Sequence, residues 1–131
     1  MERLKEEINS YYSQIPKSEA LRMALDNCRE LLRQSVEITK NNKKEKKEEE
    51  LLTSSHRVVC YKEINEGLIA LIENHSSEKI KKAKKSIDLL LFIIQNETED
   101  VFINSENKIR EELINEKYIP NLIIEWTLKN C

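Results

Sequence analysis

The chain has 131 residues, of which 39% are hydrophobic and 35% are charged, and it contains one glycine and two prolines. This length predicts one domain, and the shortage of glycine excludes a fold with many tight turns between short strands. Because the charged residues are mostly glutamate and lysine, which favour helices, the composition predicts an all-α protein. The expected architecture is a compact helical bundle or a short right-handed stack of about five to seven helices.

The charge balance and the length of the apolar runs exclude further classes of protein. The formal net charge is −2 and the pI is near 5.8, which disfavours a general nucleic-acid binder. The longest apolar run, Leu89 to Ile94, is far shorter than the roughly 18 residues of a membrane span. The first residues also lack the apolar core of a signal peptide. The sequence predicts an intracellular protein, cytoplasmic or nuclear, with no membrane span.

The first two helices are predicted from the spacing of their apolar residues and from the proline that separates them. Residues 2–13 form the first helix, and the apolar residues near one stripe are Leu4, Ile8, Tyr11, Tyr12 and Ile15. Pro16 interrupts the pattern, and the Ser18 hydroxyl is predicted to cap the next helix. That second helix is the clearest periodic segment of the chain, because its apolar residues recur three and four apart over about four turns. They are Leu21, Ala24, Leu25, Cys28, Leu31, Leu32 and Val36.

Residues 41–50, NNKKEKKEEE, are ten consecutive polar residues. Such a run cannot lie in a core, so it is predicted to be an exposed charged loop that leads into the third helix. It is the best internal boundary of a single helical domain that covers residues 1–131. On one side lies an N-terminal helical cap, residues 1–40, and on the other a repeat-like part, residues 51–130.

The third helix is predicted over residues 46–74, in one piece or two. Gly67 is the only glycine of the chain, and a glycine inside a helix costs about 1 kcal/mol relative to alanine. It therefore marks either a close helix crossing or a break between two helices. The predicted buried stripe of this helix is Leu52, His56, Val59, Cys60, Ile64, Leu68, Leu71 and Ile72.

The fourth helix is predicted to begin at Ser76 or Ser77, whose hydroxyls can cap it, and to end near Asn96. Its first half is rich in lysine. Its second half, IDLLLFII, is apolar nearly all round, so we expect it to be covered on several sides.

The C-terminal part is predicted to contain two more helices. Residues 96–100 are acidic and loop-like, and the VFINS segment after them is a short helical turn or an anchor into the core. Ser105 can cap a helix over residues 106–117, with Ile109, Leu113 and Ile114 on its inner side. A proline disfavours the helical conformation in the residue before it, so Ile119 is predicted to be extended. Pro120 then starts the last helix, whose buried side is Leu122, Ile123, Trp126 and Thr127.

Two stretches resemble the armadillo family of helical repeats. A short helix, then "YIP" and "NLIIEWTLKN", is similar to the start of the second helix of a repeat, and "GLIALIENHSSEKIKKAKKSIDLLLFII" is similar to the same start followed by the third helix. The resemblance covers residues 64–130. It implies a right-handed stack of three-helix units, protein–protein binding along a groove and no catalysis.

The chain departs from the armadillo pattern at several positions. Lys117 stands where the family has a glycine, and Ile69 stands where the earlier unit would have a proline. The asparagine with which peptide-binding members clamp a peptide backbone falls on Leu89 or Leu90. The stretch "ENHSSEKIKKAKKSI" is also similar to part of the N-terminal helical domain of transcription elongation factors. Those domains continue into a Trp-Lys pair, whereas this chain continues into LLLFII.

The reactive side chains do not form a known catalytic or metal-binding pattern. Cys28, Cys60 and Cys131 are odd in number and widely spaced, which indicates buried thiols in a reducing compartment. His56 and Cys60 share a helix face and could join Cys28 and His75 in a metal site, or act as a nucleophile pair. The chain has no CxxC or HExxH motif, and one glycine cannot form a phosphate loop. We therefore predict a non-catalytic protein with no metal and no cofactor.

The fourth helix carries the predicted partner-binding residues, Lys81, Lys84, Lys85 and Asp88, which follow helical spacing. They could dock an acidic peptide or a phosphate backbone, or simply form a solvated face beside acidic neighbours. Three functions stay open: a protein–protein interaction module or scaffold, a self-associating homodimer, and a salt-sensitive binder of nucleic acid or an acidic partner. The hypothesis of an interaction module predicts an exposed apolar patch or groove near the C-terminal helices.

Overall fold

The computed structural model describes residues 2–74, 77–104 and 106–131, and for residues 99–104 it describes the backbone alone. All the regular structure in the described part is helical, which confirms the predicted all-α class. The elements are α1 (Glu2–Tyr12), α2 (Lys17–Lys44), α3 (Glu48–Glu73), α4 (Ser77–Asn104), α5 (Asn107–Leu113), a π-helical turn (Ile114–Tyr118) and α6 (Ile119–Asn130).

Helices α2, α3 and α4 form a layer in which α3 is the middle helix. The short connection between α2 and α3 makes them antiparallel, and two hydrogen bonds mark their register. Near the connection, Asn42 Nδ2 donates to Ser54 Oγ at 3.2 Å. Farther along, Cys28 Sγ donates to the Tyr61 carbonyl at 3.3 Å. Helix α4 then returns antiparallel along the other edge of α3.

Helix α6 covers one side of this layer and packs against both α2 and α4. It is fixed to α3 by a buried hydrogen bond in which the Tyr61 hydroxyl donates to Asn121 Oδ1 at 2.8 Å. Helix α1 packs on α6, where Trp126 Nε1 donates to Asn9 Oδ1 at 2.9 Å. The core lies between α6 and the layer, and its largest fully buried apolar side chains are Ile64, Leu68, Ile87, Leu90, Leu122, Ile124 and Leu128.

Gly67 lies at a close crossing of α3 and α4, one of its two predicted roles, and α3 is unbroken there. A Cβ atom built on Gly67 would lie 2.2 Å from Ala83 Cβ and 3.0 Å from the Lys79 carbonyl oxygen. Real Cβ atoms do not approach so closely, so any side chain at position 67 would force the helices apart. The glycine therefore sets the separation of α3 and α4.

The predicted loops are shorter than expected. Most of residues 41–50 is helical, because α2 continues to Lys44 and α3 begins at Glu48. The chain turns through Lys46, whose φ is 57°. The prediction of a loop over residues 96–100 is wrong, since α4 continues to Asn104. Lysine and glutamate are good helix formers, so a polar run can stay helical where it faces solvent.

Four serines were predicted as possible helix caps, and two of them lie within the described residues. Ser18 does not cap α2, which begins at Lys17 after Pro16 and has no side-chain cap. Ser77 is the first residue of α4. Ser76 and Ser105, the other predicted caps, lie outside the described residues.

The prediction of an extended Ile119 is wrong, because its φ and ψ are −58° and −49°. The chain passes from α5 through the π-helical turn into α6 without leaving the helical region. Proline lacks an N–H group and its ring crowds the preceding turn, and a wider π-helical turn relieves both problems. The Asn121 side-chain amide donates to the Lys117 carbonyl at 2.7 Å and so satisfies part of the altered backbone pattern. Pro120 lies in the first turn of α6, as predicted, although the chain before it is already helical.

Candidate partner-binding surface

The buried stripe predicted for α3 is partly wrong. Tyr61, Ile64 and Leu68 face the core, but Leu52 is 63% exposed and Val59 is 55% exposed. The His56 side chain, placed on the same stripe, is exposed as well. Helix α3 has apolar residues on two sides, and only the side toward α2, α4 and α6 is covered.

Helix α4 shows the same asymmetry. Ile87, Leu90 and Ile94 are buried, whereas Leu89 is 47% exposed and Phe92 is 61% exposed. The prediction that IDLLLFII is covered on several sides is therefore only partly right, because α3 and α6 cover it but leave Leu89 and Phe92 exposed. Helix α4 lies at the edge of the layer, so its neighbours bury the inward side and leave these two side chains in solvent.

We call Leu52, Val59, Leu89 and Phe92 the outer apolar face. Two contacts set the register of α3 against α4: Ser86 Oγ donates to Glu63 Oε2 at 2.5 Å, and Arg57 forms an ion pair with Glu97. In this antiparallel register Val59 lies level with the turn that carries Leu89 and Phe92. Among the described helices, none covers this side of α3 and α4.

A shallow groove of ≈ 530 Å³ runs between the two helices on this side. Its α3 wall contains His56, Val59, Cys60 and Glu63, and its α4 wall contains Lys82, Lys85, Ser86 and Leu89. The groove therefore combines an apolar floor with lysines on one wall and a glutamate on the other. These properties suit an amphipathic ligand with charges along both edges.

The four predicted partner-binding residues do not all face the groove. Lys85 lines it, Lys81 is exposed on the same helix and Lys84 is half-buried. Asp88 instead accepts a hydrogen bond from Lys129 Nζ of α6 at 2.9 Å, so α6 neutralises its charge. Burial alone would lower the pKa of Lys129, but the hydrogen bond to Asp88 and the nearby Glu125 carboxylate raise it.

Sequence reasoning missed Lys82, which lines the groove together with Lys85 and Leu89. The three residues are three and four apart, so helical spacing could have found them together. Three of the four predicted residues, Lys81, Lys84 and Asp88, do not line the groove. The relevant signal was the combination of lysines with an exposed leucine.

The His56–Cys60 pair does not have the environment of a nucleophile. The Cys60 thiol is buried, and burial raises its pKa, to which the Glu63 carboxylate adds. A thiol with a raised pKa is a weak nucleophile, because the thiolate is the reactive form. Cys28 lies elsewhere, against Tyr61, and burial raises its pKa to about 12.

No group of three His, Cys, Asp or Glu side chains that could hold a metal ion occurs in the described part of the chain. His75, the fourth of the candidate ligands, lies outside the described residues.

Within residues 2–74, 77–104 and 106–131, the helices do not combine the length and apolarity that a membrane crossing needs. Comparisons with protein-family models, curated proteins and solved structures found no match to this chain.

Proposed function

We propose that this chain is a protein-interaction module or scaffold domain that binds a partner protein through the outer apolar face. The single observation that carries the proposal is the exposure of four large apolar side chains, between 47% and 63%, on one side of α3 and α4. Grouped apolar side chains in solvent are typical of interaction surfaces. Scattered ones are normal, but these four follow two adjacent helices.

The partner segment that fits best is an amphipathic helix with acidic residues along one edge. Two antiparallel helices offer a groove into which an apolar helix face can dock. The α4 wall provides Lys82 and Lys85, with Lys81 nearby, and these would pair with acidic residues of the partner. Glu63 on the α3 wall favours a basic residue at the opposite edge. This charge asymmetry would fix the direction in which the partner lies.

The armadillo resemblance over residues 64–130 supports the same kind of function, since that family binds proteins along a groove. Helices α3 and α4 correspond to its earlier unit, and the exposed side of this hairpin is where an adjoining unit would stack. We infer an armadillo-like stack as the finer description of this bundle.

The double substitution Leu89→Lys and Phe92→Lys tests the proposal. Both side chains are exposed, so helicity and stability should stay within about 0.5 kcal/mol of the wild type. Binding of a partner should fall at least about thirtyfold, because central apolar anchors contribute about 2 kcal/mol or more each. Tyr11→Lys is the matched control, since Tyr11 is 63% exposed on α1. Partner binding that survives the double substitution would reject this surface.

The second candidate is a homodimer formed through the same outer apolar face. It is favoured by the same exposed side chains, which a second copy would cover. Light scattering over a wide range of protein concentrations distinguishes a homodimer from a module that binds a different protein. A dimer mass that becomes a monomer mass in the Leu89→Lys/Phe92→Lys variant would support self-association, and a constant monomer mass would eliminate it.

The third candidate is a salt-sensitive binder of nucleic acid or of an acidic partner, for which the lysines of α4 are responsible. Replacing Lys81, Lys84 and Lys85 with glutamate should then abolish binding, and the wild-type affinity should fall steeply with salt concentration. The control changes Lys43, Lys44 and Lys46, exposed lysines elsewhere, to glutamate. Equal binding by both triple variants would show that the α4 lysines are not the determinant.

A further inference from the structure

A second pocket lies on the other side of the molecule, where α2, α3, α4 and the start of α6 meet. Its volume is ≈ 210 Å³. Besides apolar side chains, it is lined by polar groups from all these elements: Gln34, Ser35, Arg57, Tyr61, Glu97, Thr98, Lys117 and Asn121. This pocket is separate from the outer apolar face and does not depend on the function proposed above.

The pocket contains two cations and one carboxylate. Arg57 pairs with Glu97 through one terminal nitrogen, but its Nε is buried and has no hydrogen-bond partner among the described residues. Lys117 makes no ion pair with any described carboxylate. A buried guanidinium N–H without a partner is costly, so a ligand that accepted a hydrogen bond from it would relieve that cost.

Most of the neutral groups around the two cations are already engaged with protein atoms. The Tyr61 hydroxyl donates to Asn121 Oδ1, and the Asn121 amide donates to the Lys117 carbonyl. Ser35 Oγ donates to the Leu31 carbonyl at 2.8 Å. Besides these neutral groups, the pocket offers the charged donors of Arg57 and Lys117.

The electrostatic environment of both cations favours an anion. Burial lowers the pKa of Lys117, and the positive charge of Arg57 lowers it further, with a partial offset from Glu116. Burial also lowers the pKa of Arg57. An anion between the two would relieve their repulsion and replace the lost hydration.

The backbone that carries Lys117 is itself unusual. Lys117 belongs to the π-helical turn Ile114–Tyr118, directly before the helical Pro120. π-helical turns are rare and occur frequently at functional sites, because they move a side chain away from its regular helical position. Here the turn brings a lysine to a pocket that also contains an arginine.

We propose that this pocket binds a small oxyanion, a phosphate or carboxylate group, between Arg57 and Lys117. Arginine and lysine are the side chains that proteins use for such groups. The pocket is smaller than the roughly 300–1,000 Å³ of sites for drug-sized ligands. It therefore suits a free small anion such as phosphate or a short dicarboxylate. Glu97 holds the guanidinium through a terminal nitrogen and leaves Nε without a partner among the described residues.

The test is a titration of the full chain with inorganic phosphate and, separately, with succinate, at constant ionic strength against sodium chloride. Proton–nitrogen NMR follows the Arg57 Nε–H signal and the amides of Lys117 and Asn121. We expect saturable shifts of these signals and a rise in the melting temperature, since a ligand that binds the folded state stabilises it. Response to phosphate alone or to succinate alone identifies the anion, and response to both defines a general oxyanion site.

Lys117→Gln should weaken the binding about tenfold or more, because one charge-assisted hydrogen bond is lost. Lys117→Met is a second variant that removes the same charge, and the exposed Lys43→Gln is the matched control. The Leu89→Lys/Phe92→Lys variant should bind the anion normally, which separates this site from the outer apolar face. Absence of saturable shifts with both anions, or equal affinity in both Lys117 variants and the wild type, would overturn the proposal.

Discussion

Replacing Gly67 with alanine is expected to lower the free energy of unfolding by about 2 kcal/mol or more, as measured by urea denaturation. The added Cβ would stand 2.2 Å from Ala83 Cβ, an atom that cannot rotate away because it is bonded to the backbone. Helices α3 and α4 would have to separate, and the core residues around the crossing would lose contacts. The gain of about 1 kcal/mol in helix propensity does not offset this loss.

A compensating change identifies the cause of that destabilisation. The double variant Gly67→Ala/Ala83→Gly moves the methyl group from one helix to the other and should recover part of the stability. The recovery is incomplete, since the Lys79 carbonyl still lies 3.0 Å from the new Cβ. Glu66→Ala, at an exposed neighbouring position, is the control and should change stability by less than about 0.5 kcal/mol. If Gly67→Ala is as stable as the wild type, the crossing is looser than described.

Replacing Ile64 with alanine should destabilise the protein by about 2–5 kcal/mol, whereas Val59→Ala should cost little. Ile64 is fully buried in the middle of α3, and Val59 is 55% exposed on the outer apolar face. Truncating Ile64 removes buried methyl groups and leaves a cavity. The midpoints of chemical denaturation of the two variants measure the difference directly.

This pair of variants decides which side of α3 faces the core. Both residues belonged to one predicted stripe, so that prediction expects similar losses of stability at the two positions. From the structure we instead expect Ile64→Ala to lose far more stability than Val59→Ala. A Val59→Ala variant that loses as much stability as Ile64→Ala would show that the outer apolar face is buried, and the proposed docking surface would be lost with it.

The sequence predicted well the orientation of α2, a helix with a single apolar side. Helix α2 has one clear stripe, and its members Ala24, Leu25 and Cys28 are buried as expected. On α6, Leu122 and Ile123 are buried, and Trp126 is half-buried against Tyr12. On α2 the opposite face is polar, so periodicity alone decides the orientation. Helix α6 is instead buried nearly all round, since Asn121, Ile124, Glu125, Thr127 and Leu128 are buried as well.

The sequence could not predict the orientation of α3 and α4. Both helices have apolar residues on two sides, and their spacing does not tell which side a neighbour covers. That choice depends on where α6 packs, and α6 lies far away in the chain. The exposed pair Leu89 and Phe92 was therefore predicted to be buried, although it now forms half of the candidate surface.

Two further features come from long-range structure. The local rule before proline predicted an extended Ile119, but the π-helical turn keeps the chain helical. The anion pocket needs Arg57 of α3 and Lys117 of the π-helical turn to meet, and their separation of 60 residues carries no signal of contact. Only the packing of α6 over the helical layer brings them together.

Photo-crosslinking from position 92 is the most direct test of the central claim that the outer apolar face binds a partner protein. A benzophenone amino acid replaces Phe92 in the protein within its native cells, and the same residue at the exposed position Tyr11 is the control. Mass spectrometry of the cross-linked peptides identifies what lies against each position. We predict that position 92, and not position 11, cross-links to an amphipathic helical segment of another protein with acidic residues beside its apolar ones. Cross-links to a second copy of this chain, or none above the control, would contradict the claim.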